Sequence, residues 1–115
     1  MINRANISAY ALYTNFGIGD ESDGFRLTIG TMSGSVAFDA LRLHDGMKFT
    51  TRDRDNDFKV NTNCAVSARG AWWYDACYDS NLNGMYGVGD GRGLMWKNYL
   101  NDIIMKDTTM KLKCA

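Results

Sequence analysis

Between positions 53 and 77 the chain sets a row of alternating carboxylates, two cysteines and a run of aromatics. No other segment limits its folding so tightly. Asp53-Arg54-Asp55-Asn56-Asp57 is followed by Asn63-Cys64-Ala65 and then by Trp72-Trp73-Tyr74-Asp75-Ala76-Cys77. Most of the stretch 53–93 reads as loop, and proline is absent from the chain, so its turns depend on Gly, Asn and Asp. Long loops are either functional or disordered. Three successive large aromatics, Trp72, Trp73 and Tyr74, argue against disorder, because they bring enough apolar area to fold the loop onto a core.

The carboxylates suggest a metal. Asp at every second position lets a turning loop aim several oxygens at one point, which suits calcium, a hard cation that takes about six to eight oxygen ligands. Asp53, Asp55 and Asp57 would supply charge, and the backbone over 59–62 would supply carbonyls. An EF-hand does not fit. Counted from Asp53, its sixth and twelfth positions, which need Gly and Glu, are Phe58 and Cys64. The competing reading is a solvated acidic turn neutralised by Arg52 and Arg54.

Cys64 and Cys77 enclose twelve residues, a loop short enough to close. A disulfide closing about fifteen residues restricts the unfolded chain by roughly 3 kcal/mol. The alternative is two buried free thiols in a cytosolic protein. One histidine and three cysteines without C-x-x-C spacing are poor material for zinc. Cys114 is left over, as an intermolecular bridge, as half of a bridge to a partner elsewhere, or as a free thiol.

Thirteen basic and thirteen acidic residues give a formal charge of zero, so nothing supplies the basic face that nucleic acid requires. No run of about eighteen apolar residues exists to span a membrane. The N-terminus shows no signal-peptide apolar region or cleavage pattern. The single histidine, His44, lies in the turn His44-Asp45-Gly46 without an evident nucleophile or orienting group, so catalysis is the weakest function class. Asn6-Ile7-Ser8 is an N-glycosylation sequon.

Periodicity predicts a strand over 7–16, a turn over 17–24, a half-buried strand over 25–29 and a turn over 30–34. A short helix is expected over 37–43, a strand over 47–51, and regular structure again over 94–96 and 108–112. The class is α+β in one small domain of 115 residues. Tyr74 and Tyr78 are candidates for an aromatic pocket wall, which suits an acetyl methyl or a sugar face.

These residues resemble a known family. Phe49-Thr50-Thr51-Arg52-Asp53-Arg54-Asp55-Asn56-Asp57, Asn63-Cys64-Ala65, Gly70-Ala71-Trp72-Trp73-Tyr74, Cys77 and Asn81-Leu82-Asn83-Gly84-Met85-Tyr86 are similar to the C-terminal half of the fibrinogen C-terminal domain. Ficolins, tachylectins, angiopoietins and tenascins carry that domain. Upstream, Gly19-Asp20-Glu21-Ser22-Asp23, Phe25-Arg26-Leu27 and His44-Asp45-Gly46-Met47-Lys48-Phe49 fall in the family's order, as do Gly93-Leu94-Met95-Trp96 and Thr109-Met110-Lys111-Leu112 downstream. The likeness covers nearly the whole chain, but the complete domain is about twice as long, so the N-terminal half with its own disulfide lies outside it.

The resemblance implies a small antiparallel sheet with short helices, and a loop-rich calcium and ligand subdomain over 47–93. It implies a calcium site from the side chains of Asp55 and Asp57 and the backbone carbonyls of Lys59 and Asn61. One extra residue before Cys64 lets the carbonyl donors move to neighbours. It implies a Cys64–Cys77 disulfide and a cis bond between Ala76 and Cys77. The ligand pocket would then gather Tyr74, Ala76, Cys77 and Tyr78. The implied function is a secreted, non-enzymatic recognition module of innate immunity that binds acetylated or glycan ligands, with oligomers for avidity. The alternative is a receptor- or matrix-binding module of angiopoietin or tenascin type. Two departures fall on the pocket. Tyr78 stands where the family usually has His, and the closing region keeps Trp96-Lys97 but lacks the later Trp-Tyr pair.

Overall fold

The computed structural model describes residues 1–3, 6–99 and 105–114. Its first half is one long, interrupted hairpin. Strand β1 (Ala11–Tyr13) pairs antiparallel with β4 (Met32–Gly34), and β2 (Gly17–Ile18) pairs with β3 (Leu27–Thr28). Hydrogen bonds of 3.1 Å from the Thr14 amide to the Thr31 carbonyl and 2.8 Å from the Gly30 amide to the Thr14 carbonyl join the two ladders. The hairpin tip is a 3-10 turn, Glu21–Asp23. Asp20 caps it by accepting from the Asp23 amide, and Gly24 closes it at φ 66°.

The predicted turn over 30–34 is therefore the returning strand. Its glycines serve close approach rather than reversal. A Cβ on Gly30 would lie 2.7 Å from the Thr14 carbonyl oxygen, and Gly34, at φ 132°, lies against the Tyr10 carbonyl. The predicted helix over 37–43 shrinks to a 3-10 turn, Arg42–His44. The segment's hydrogen-bonding groups are taken by distant partners. The Phe38 carbonyl accepts from the Trp96 indole at 2.9 Å, and Asp39 accepts from the Tyr13 hydroxyl at 2.5 Å. Over 47–51 only bridges form, Thr50 with Trp72 and Thr51 with Arg54. The segment 108–112 forms no helix or strand, so the regular structure expected there is absent.

The loop-rich half carries one helical turn, α1 (Cys64–Ser67), and one short ladder, β5 (Ser80–Asn81) with β6 (Met95–Trp96). The core sits between this half and the hairpin. Leu27, Ile29, Leu41, Trp72, Tyr74, Leu94, Trp96 and Met105 are among its buried residues. Trp73 meets Trp72 edge-on with centroids 5.0 Å apart and Phe49 at 5.3 Å, and its indole donates to the Phe25 carbonyl at 2.8 Å. The aromatic run thus fastens the loop to the hairpin tip. No helix among the described residues is long and apolar enough to cross a membrane.

Candidate recognition site

The acidic loop is held at both ends by asparagines. The Asn56 side chain donates to the Phe49 carbonyl at 2.9 Å, and the Asn63 side chain donates to the Thr51 and Arg52 carbonyls at 3.0 and 3.2 Å. Asn63 also caps α1 by accepting from the Ala65 amide at 2.8 Å. Inside the loop Asp55 accepts from the Asp57 amide at 3.1 Å. Asp57 accepts from the amides of Lys59 at 3.0 Å and Cys64 at 2.8 Å. The backbone at Asn61 takes φ 61°, a left-handed conformation that asparagine tolerates. The chain therefore folds back over its own carboxylates.

Burial pushes the Asp57 carboxyl above its ordinary value. The Cys64 and Lys59 amides pull it down, and the adjacent Asp55 raises it again. Among the described residues no ion pair joins Asp55 or Asp57 to Arg52 or Arg54, although the Arg54 charge does reach Asp53 in the same turn. Two neighbouring carboxylates in a loop with turned backbone carbonyls suit a hard divalent cation. No three His, Cys, Asp or Glu side chains among the described residues group as metal ligands. A calcium ion would take its remaining oxygens from the carbonyls near Lys59 and Asn61 and from water.

The acidic loop and the pocket are mechanically joined. Cys64 and Cys77 form a disulfide with Cα atoms 5.6 Å apart. The Phe58 amide donates to the Asp75 carbonyl at 3.0 Å. The Ala76–Cys77 peptide bond is cis. Beside it lies a cavity of about 380 Å³, whose lining includes Cys77 and Tyr78. The Tyr78 hydroxyl donates to the Gly91 carbonyl, which ties the pocket to the glycine-rich loop. Burial, then the charge of Asp90, raise the Tyr78 phenol. The amides of Cys77 and Tyr78 have no acceptor among the described residues.

Two of the expected pocket residues lie off the lining of this cavity. Tyr74 is fully buried and stands behind the pocket rather than in its wall. Its hydroxyl donates to Asn81 at 2.5 Å, and its ring lies 6.3 Å from that of Tyr78. Ala76 is exposed beside the pocket and is absent from its lining. The lining instead adds Lys59, Ser67 and Arg92. Nothing in their spacing signals this, because they meet through tertiary contacts such as the disulfide, the Phe58–Asp75 bond and the Tyr78–Gly91 bond.

His44 anchors the site from beneath. It is fully buried. Its Nδ1 lies 2.8 Å from the Trp73 carbonyl, and its Nε2 receives the amides of Asp79 and Ser80, both at 3.2 Å. Two incoming N–H donors require a lone pair on Nε2, so the ring is neutral and its proton sits on Nδ1. Burial holds its pKa below the ordinary value.

The fold agrees with the comparisons. Residues 2–115 match the family model for the C-terminal globular domain of fibrinogen beta and gamma chains. The chain belongs to that family. It is 43% identical over 118 residues to Fibrinogen C domain-containing protein 1-A of Xenopus laevis, covering 94% of this chain and 25% of that protein. The fibrinogen-like globe domain of human ANGPTL6 superposes with a TM-score of 0.82 at 36% identity, covering 91% of this chain and 50% of that one. Lamprey fibrin D-dimer, solved with the peptide ligand Gly-His-Arg-Pro-amide, superposes with a TM-score of 0.77 at 28% identity, covering 91% of this chain and 40% of that one. The chain thus spans about a quarter of that curated relative and about half of the ANGPTL6 globe domain.

Proposed function

We propose that this fibrinogen-family chain is a calcium-stabilised extracellular recognition module whose pocket at Cys77 and Tyr78 takes a small acetylated group on a glycan. The observation that carries this reading is a pair of amides, Cys77 and Tyr78, without an acceptor among the described residues, beside a tyrosine ring. Two N–H donors suit an acetyl carbonyl oxygen, and the ring suits the methyl. Calcium would be held by the side chains of Asp55 and Asp57 with the carbonyls near Lys59 and Asn61. Bound there, it would neutralise the carboxylates and stiffen the loop that the disulfide links to the pocket. A disulfide of this kind persists in oxidising compartments, which supports secretion.

Recognition rather than catalysis fits the only histidine. Both nitrogens of His44 are committed to backbone partners, so no base is available there. A second reading is docking of a protein or peptide, supported by Tyr78 in place of histidine and by the peptide ligand in the lamprey neighbour. Retention on an acetylated resin, with release by chelator, tests the first reading. Flow-through in calcium would remove it and leave the second.

A further inference from the structure

The turn ahead of β1 carries a group that neither the acidic loop nor the pocket uses. Asn6-Ile7-Ser8 is the only Asn-x-Ser/Thr sequence in the chain, and the fold places it at the tip of a tight reversal. Asn3, which is buried, builds that reversal. Its side-chain oxygen accepts from the Ile7 amide at 2.8 Å, its amide donates to the Ile7 carbonyl at 3.1 Å, and its carbonyl accepts from the Asn6 amide at 3.0 Å. Ile2 and Ser8 bridge across the base of the turn. Asn6 takes φ 62°, a left-handed conformation that asparagine tolerates. Burial against a sheet would block modification of such a sequence, but Asn6, Ile7 and Ser8 are all exposed. The two ends of the Asn6 amide differ. Its Oδ1 accepts from the Lys106 ammonium at 2.9 Å, whereas its Nδ2 and the Ser8 hydroxyl have no hydrogen-bond partner among the described residues. By contrast, Asn56, Asn63 and Asn81 spend their Nδ2 donors on backbone carbonyls. The fold thus makes no use of the one nitrogen that glycosyl transfer would substitute, and the Oδ1 contact survives that substitution.

We propose that Asn6 is a modification site, carrying an N-linked oligosaccharide on Nδ2. The proposal rests on the extracellular part of the reading above and on neither its calcium nor its acetyl part. The oligosaccharide comes from a lipid-linked diphosphate donor in the secretory pathway. A bond forms between Nδ2 and the anomeric carbon of the first sugar. The bond from that carbon to the diphosphate oxygen breaks, the diphosphate leaves with the electron pair, and Nδ2 gives up one proton. The Ser8 hydroxyl is the group by which the transferase recognises the site. A bulky, hydrated glycan suits an exposed turn tip. The full chain, expressed behind a cleavable signal sequence in cultured eukaryotic cells, tests this. Its lumenal, disulfide-bonded fraction is digested and its peptides weighed before and after peptide N-glycosidase, which removes the glycan and converts the asparagine to aspartate. One glycan is expected, on the peptide that contains Asn6. It is lost in Asn6→Gln and in Ser8→Ala and kept in Ser8→Thr; both positions are exposed, so none of these changes removes core packing. An unmodified Asn6 in the lumenal fraction of the native sequence overturns the proposal. A glycosylated chain that flows through the acetylated resin overturns the acetyl reading and leaves this one standing.

Discussion

At the residue scale, His44 shows how a buried polar group can hold a site in place without touching a ligand. Its ring joins Trp73 to the Asp79–Ser80 backbone, so it fixes the chain on both sides of the Cys77–Tyr78 pocket. The same geometry sets a pH dependence. An unfolded imidazole takes up a proton near pH 6.5, and burial holds the folded one below that. Between the two values the unfolded chain holds more protons, so stability is full above about pH 6.5 and is lost as pH falls towards the folded value. Thermal melts between about pH 7.5 and 5.5 should show a falling midpoint, and His44→Ala should flatten that slope. The same substitution strands the buried Ser80 amide, the part-buried Asp79 amide and the Trp73 carbonyl and opens a cavity, at a cost of about 3 kcal/mol or more in denaturant titration. The Tyr74 hydroxyl belongs to a second such network. Asn81, buried, accepts from it and donates to the Ala68 and Gly93 carbonyls at 3.0 and 3.2 Å. Tyr74→Phe should cost about 1–3 kcal/mol by leaving the Asn81 oxygen unpaired, while sparing the pocket.

At the scale of elements, the glycines were the least legible part of the sequence. Gly30 and Gly34 carry a turn signal, yet they lie in the returning arm of the hairpin because the opposing backbone at Tyr10 and Thr14 comes too close for a Cβ. Gly34→Ala, at φ 132° and against the Tyr10 carbonyl, should cost about 2 kcal/mol in a chemical melt. A neutral result would mean the hairpin does not close there. The helical pattern over 37–43 failed for a different reason. Its local preference lost to distant partners, the Trp96 indole on the Phe38 carbonyl and the Tyr13 hydroxyl on Asp39. The Cys64–Cys77 bridge was legible from the family likeness, and the close approach of Asp55 and Asp57 from their spacing. Lys59 and Arg92 were not legible as pocket residues, because they are distant in sequence and join through tertiary contacts alone.

At the scale of the whole molecule, the chain is a plate with extents of 40 × 35 × 18 Å. So thin a body keeps few residues far from water, and the disulfide and acidic loop therefore matter more than they would in a thicker domain. A groove of about 910 Å³ lies between β1 and the segment 109–114, larger than the recognition pocket and lined by different residues. Tyr10, Leu12, Met110 and Leu112 are exposed there. Open apolar surface of this kind promotes association. Leu12→Lys with Leu112→Lys should lower concentration-dependent light scattering, and unchanged scattering would show that this face is not responsible.

We propose that calcium on the Asp55–Asp57 loop stabilises the fold that carries the pocket. Thermal unfolding of the oxidised chain in calcium and in chelator tests it most directly. One cooperative transition is expected, with a midpoint that rises with calcium and a rise abolished in the double variant Asp55→Ala, Asp57→Ala. A cooperative transition that ignores calcium in the native sequence would contradict it.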